Sequence, residues 1–93
     1  MNMEKYYIDI GKNVKELRKE KGITQKELAI LMGLKSRSFI ANAEIGKDKH
    51  FGIEHIIKLC DVFECRISRI VNIREDEQMP MEWLDDPKYH ETE

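Results

Sequence analysis

Along the first three quarters of the chain, apolar residues recur at the three- and four-residue spacing of helices. In IGKNVKELRKEKG, Ile10, Val14 and Leu17 fall at i, i+4 and i+7 and make one stripe. Gly22 closes that helix. The pattern returns in IEHIIKLCDVF with Ile53, Ile56, Ile57, Cys60 and Phe63, and RISRIV adds Ile67, Ile70 and Val71. Between these flanks, TQKELAILMGLKSRSFIANAEIG reads as two short helices around a tight turn. Thr24 is followed three residues later by Glu27, the reciprocal capping-box pattern of a helix start. Gly33 accepts the left-handed backbone of a C-terminal cap. Ser36 is placed to cap the next helix, and Gly46 to end it. No stretch alternates apolar and polar residues for long, and no Asn-Gly hairpin signal occurs. The pattern predicts an all-α fold with five helices between about Tyr6 and Val71.

Two caps and two stops in so short a span describe a helix-turn-helix, whose second helix can lie in the DNA major groove. LRKEKGITQKELAILMG followed by SRSFIANAEIG resembles the phage Cro- and repressor-type helix-turn-helix family, also called XRE-like. The resemblance covers roughly Ile8 to Val71. It is carried by the joint spacing of Arg18, Gly22, Thr24-Gln25, Leu28-Ala29, Gly33 and Glu44-x-Gly46. The turn holds one residue more than the usual pattern of that family, most simply Lys35. KDKHF after Gly46 lacks the proline common there. Both departures change the loops that set the angle of the second helix.

On a wheel of 100° per residue, Ile40 and Ala43 fall together on the core side of that helix, with Ser36 at its capping end. Arg37, Ser38, Ala41, Asn42 and Ile45 fall on the opposite arc. Phe39 and Glu44 lie at the two boundaries. The planar fork of Arg37 can hold guanine O6 and N7 together, and Asn42 can pair with adenine N6 and N7. Ser38 can bond a base or a phosphate. The resemblance implies that these three positions read bases and that Gln25 contacts a phosphate. Lys35, Lys47 and Lys49 flank the helix on loops and are natural phosphate partners. The plain alternative for each basic side chain is a solvated surface charge. Ala41 and Ile45 make the outward arc more apolar than that of a usual DNA reader. They suit thymine methyl groups or a protein partner. The resemblance further implies a structural ion pair between Arg18 and Glu44.

Composition sharpens this picture chiefly through charge. Ninety-three residues bound one small domain, and the formal net charge is -2. Residues 1–58 hold 12 Lys and Arg against 8 Asp and Glu, whereas residues 72–93 hold 2 against 8. A basic helix-turn-helix domain over 1–71 is thus followed by an acidic C-terminal tail over 72–93, a division that fits nucleic-acid binding with an acidic appendage. The tail reads as partly flexible from its charge density. Met79, Met81, Trp83 and Leu84 supply one docking point within it. Cys60 and Cys65 form no CxxC pair, and His50, His55 and His90 share no ligand spacing, so neither a metal nor a cofactor is expected. There is no catalytic constellation and no signal peptide, and no apolar run nears the roughly 20 residues of a membrane span. A cytoplasmic, non-enzymatic protein is the expectation.

The function expected is a sequence-specific DNA-binding transcriptional regulator, a repressor that occupies double-stranded DNA as a homodimer. The alternative is an antitoxin or other protein-binding module on the same fold, its acidic tail docking a partner.

Overall fold

The protein is described here by a computed structural model covering residues 3–72. Among the described residues four α-helices follow one another: α1 (Met3–Glu20), α2 (Gln25–Leu31), α3 (Ser38–Ile45) and α4 (Ile53–Phe63). A 3-10 turn, Ile67–Arg69, comes last. Among the described residues there is no strand. The acidic tail and its Trp83 lie outside the described residues beyond Asn72.

The fifth helix expected from RISRIV is therefore this 3-10 turn. Glu64 has a left-handed backbone (φ 51°) and Arg66 is extended, which leaves too few residues for an i to i+4 ladder. The segment closes instead with Arg69 N–H to Arg66 O at 3.0 Å and Ile70 N–H to Ile67 O at 2.9 Å. It is tied back to α1 by Asn13 Nδ2, which donates to Ile70 O at 2.9 Å. An exposed Arg69–Glu20 ion pair adds little, as such pairs are worth about 0–1 kcal/mol.

Tyr6, Ile10, Val14 and Leu17 form the buried stripe of α1, which starts three residues earlier than expected. Leu28, Ile40, Phe51, Leu59, Phe63 and Ile70 meet it in one core. Phe51 is 1% exposed yet lies in a loop, where no helical period announces it. In α4 the buried residues are Ile56, Leu59 and Phe63. Ile53 and Ile57, expected inside, are 64% and 63% exposed. Ile53 opens the helix, and Ile57 is turned about 100° from Ile56, away from the core. Cys60 and Cys65 are half-buried against the core, and burial first, then the neighbouring Cys65, pushes the Cys60 thiol above its ordinary pKa.

The helix ends are written locally. Thr24 Oγ1 accepts from Glu27 N–H at 3.0 Å while Glu27 Oε1 accepts from Thr24 N–H at 2.8 Å, the complete capping box. At the other end of α2, Leu34 N–H reaches Ala29 O and Gly33 N–H reaches Ile30 O, a Schellman closure. The start of α3 differs from expectation. Its N-cap position is Arg37, with no side-chain cap, and the Ser36 hydroxyl faces that of Ser38 at 2.8 Å rather than a backbone N–H. Arg37 already takes helical angles (φ -73°, ψ -13°), which leaves Ser36 outside the geometry of a cap.

Candidate nucleic-acid interface

Helix α3 is placed chiefly by α1. Two glycines let the backbones approach. A Cβ on Gly11 would lie 2.5 Å from Glu44 O, and one on Gly46 would lie 2.6 Å from Tyr7 O. Gly46 also has φ 78°, which only glycine takes without cost, and its N–H closes the helix on Asn42 O. Ile40 and Ala43 are fully buried on the inner side. Phe39, at the boundary, meets Phe51 edge-on at 5.8 Å between centroids and His55 at 4.7 Å. His55 is held in turn by accepting at Nδ1 from Gly52 N–H, which fixes the start of α4.

A second anchor is polar. Arg18 Nε donates to Glu44 Oε2 at 2.7 Å and Arg18 Nη2 to Glu44 Oε1 at 3.2 Å, in a bidentate pair at which both residues are buried. Arg18 Nη1 also donates to Ile23 O at 3.0 Å, so each guanidinium nitrogen has a partner. Glu44, placed at a boundary by the wheel, is thus inside, and the ion pair implied by the resemblance is present.

The other arc of α3 faces outward. Arg37, Ser38, Asn42 and Ile45 are exposed and Ala41 is half-buried. Lys35 lies on the turn before the helix, and Lys47 and Lys49 lie on the loop after it, all three exposed. That loop is held by a parallel stack of His50 on Tyr7, with ring centroids 3.7 Å apart and planes 6° from parallel. One outward face therefore brings together a guanidinium, a hydroxyl and a carboxamide, with lysines at both ends. This combination suits base edges flanked by phosphates.

Gln25 occupies a place the sequence does not announce. Its Nε2 donates to Glu44 Oε1 at 3.0 Å and its Oε1 accepts from Arg37 Nη1 at 2.9 Å. The half-buried amide thus joins the ion pair to Arg37. Partners 12 and 19 residues apart carry no local signal. The Tyr7–His50 stack and the Asn13 anchor are hidden in the sequence for the same reason.

A family model described as helix-turn-helix matches residues 14–70, most of the described chain and both helices of the motif. The chain belongs to the helix-turn-helix family, of the Cro- and repressor type. DNA binding and transcription regulation come with this membership. Among solved structures, the crystal structure of the restriction-modification controller protein C.AhdI from Aeromonas hydrophila is similar. It matches with a TM-score of 0.61 at 30% identity, over 69% of this chain and 94% of that one. No curated protein matches the chain. Among the described residues, no helix is long and apolar enough to cross a membrane.

Proposed function

We propose that this helix-turn-helix protein is a sequence-specific repressor that occupies its operator as a homodimer in the cytoplasm. The observation that carries this reading is the division of α3 into a buried face and an outward face. Ile40, Ala43 and Glu44 hold the helix to the core. Arg37, Ser38 and Asn42 stand free of it, with Lys35, Lys47 and Lys49 at the two ends. Arg37 reads guanine and Asn42 adenine, while Ser38 bonds whichever base edge lies between. Gln25 and the three lysines meet phosphates and set the register. Ile45, 58% exposed beside Asn42, touches a thymine methyl.

Dimer formation is supported by apolar surface that stays exposed among the described residues. Ile53 and Ile57 share the outer side of α4, and Ile67 on the 3-10 turn is half exposed. A two-fold contact there would cover both copies at once. The two recognition helices then enter successive major grooves about 34–36 Å apart, and the bound dimer blocks a promoter.

Selection of bound duplexes from a random pool, at stated salt, tests the reading. A palindromic site with steeply salt-dependent affinity is the expected result. Weak binding with no sequence preference and little response to salt would favour the alternative. In that case the fold serves as a protein-binding module of antitoxin type, with the acidic segment 72–93 docking a basic partner.

A further inference from the structure

We infer that the groove along the outer side of α2 is a docking site for the chain's own acidic segment around Trp83, which covers Lys35 and Arg37 when seated; the covering of a DNA site rests on the contacts proposed for those two residues. Leu28 and Ala29 of α2 are buried in the core, but Ile30 and Leu31 are 66% and 53% exposed. Two hollows meet at Ile30. One, of about 220 Å³, is lined by Ile23, Glu27, Ile30 and Leu31. The other, of about 380 Å³, runs from Ile30 past Ala29 and Leu34 to Lys26, Lys35 and Arg37. Together they form a groove with an apolar floor and a basic rim that ends at the start of the reading helix. Glu27, the carboxylate among these lining residues, is already committed to Thr24 N–H. None of the groove residues belongs to the apolar surface assigned to the dimer contact, which is Ile53, Ile57 and Ile67.

Charge and reach select the occupant. An apolar floor rimmed by three cations suits a segment that mixes apolar and acidic side chains. Residues 75–86, which lie outside the described residues, have that composition: Met79, Met81, Trp83 and Leu84 among six carboxylates, with no basic residue between them. The tether also starts close to the groove. The Arg69–Glu20 ion pair at 2.9 Å holds the 3-10 turn against the end of α1. The chain then runs from Glu20 to Ile23, at one end of the groove, in three residues. Met79 stands seven residues beyond Asn72 and Trp83 eleven. Such lengths reach at most about 25 Å and 40 Å, whereas the seven residues of α2 span only about 10 Å. A segment tethered this closely meets the groove at an effective concentration on the order of millimolar, so even a weak contact is populated. Seated there, the indole covers Ile30 and Leu34 while the carboxylates take the cations that DNA would otherwise meet. Only chains with an empty groove bind DNA, and their fraction scales the apparent affinity.

The test uses the full chain, in which Trp83 is the single tryptophan. Trp83→Ala empties the groove from the side of the segment, and Ile30→Ser spoils its floor without changing charge. In the free protein, Trp83→Ala should shift the methyl resonances of Ile30 and Leu34, which lose the ring current of a seated indole, and leave those of Ile53 and Ile57 in place. Ile30→Ser should make Trp83 roughly twofold more quenchable by acrylamide as the docked population falls. Both signals should be independent of protein concentration. With duplex at low salt, each variant should bind selected and unrelated sequences roughly three- to tenfold more tightly, and the double variant no more tightly than either single. Trp83→Ala leaves every described residue unaltered, so it decides the matter even where Ile30→Ser lowers the thermal midpoint. Methyl resonances that ignore Trp83→Ala would overturn the inference. So would signals that grow with protein concentration, which would place the segment on a second copy instead. Shifted methyl groups with unchanged DNA affinity would overturn the covering of Lys35 and Arg37. A parent protein that selects no sequence fails the base-reading proposal itself, and the free-protein signals still judge the docking separately.

Discussion

The two helices of the motif begin in opposite ways. The start of α2 is complete in itself, since Thr24 and Glu27 satisfy each other across one turn. The start of α3 has no side-chain cap, and its position comes from elsewhere: Ile40 and Ala43 in the core, Glu44 on Arg18, and Gly46 against Tyr7. The scaffold helix is specified by its neighbours in sequence, the reading helix by its neighbours in space. A reading helix whose N-terminal residue is Arg37 gains an outward guanidinium where a capping serine would otherwise stand. Local helix stability is given up at the place where base recognition is proposed.

This contrast orders the expected effects, and the largest falls on the spatial anchor of α3. Arg18→Ala or Glu44→Ala leaves the other charge buried without its partner, which costs about 3–5 kcal/mol. The double variant loses less than the sum of the two, because the second change removes the stranded charge. Chemical denaturation of the four proteins measures this. Strict additivity would show that the pair does not hold α3.

Gly46→Ala comes next. The methyl meets the Tyr7 carbonyl at 2.6 Å, and the left-handed backbone adds its own strain. Together these cost about 2–4 kcal/mol, combining overpacking with the left-handed penalty. The thermal midpoint should drop while α2 keeps its capping box. Amide exchange that quickened equally in α2 and α3 would mean the two helices are not positioned independently.

These two changes also mark how far the sequence carries. The α1 stripe, the α2 cap, the glycine stops and the outward arc of α3 are all legible, because each is a matter of spacing within one or two turns. The Arg18–Glu44 pair is not spelled by spacing at all; the family resemblance supplies it, and the fold brings the partners together across 26 positions. Phe51 is invisible because its burial depends on the path of a loop. Ile53 and Ile57 mislead because a run of apolar residues broader than the core stripe does not say which side faces inward. Ser36 misleads for a subtler reason: it has the right chemistry for a cap, but Arg37 occupies that position. Where the site is concerned, the residue types on the outward arc could be read from the wheel. The tie from Gln25 to Arg37 required the fold.

At the interface itself, Arg37→Ala should weaken binding to the matched site by about 1–3 kcal/mol and relax preference at one base pair. Lys47→Ala should instead weaken matched and scrambled duplexes about equally and flatten the salt slope, because a phosphate contact carries no sequence information. Titrations of both duplexes at two salt concentrations separate the roles. Identical behaviour of the two variants would remove the division of labour between the helix and its flanking loops.

The smallest effect returns to the two helix starts. Thr24→Ala removes the acceptor for Glu27 N–H and breaks the reciprocal pair, so it should destabilise the protein by about 1 kcal/mol. Ser36→Ala removes only a bond between two exposed hydroxyls and should change stability by less than about 0.5 kcal/mol. Both are small polar residues ahead of a helix, so composition alone would assign them the same weight. Their difference depends on geometry: Thr24 is extended (φ -83°, ψ 167°) and points back at the first turn of α2, while Ser36 stands one residue before a position that is already helical. Equal losses in the two variants, read by denaturation under the same conditions, would show that Ser36 caps α3 in solution. The contrast between a locally written helix and a spatially placed one would then fail at its origin.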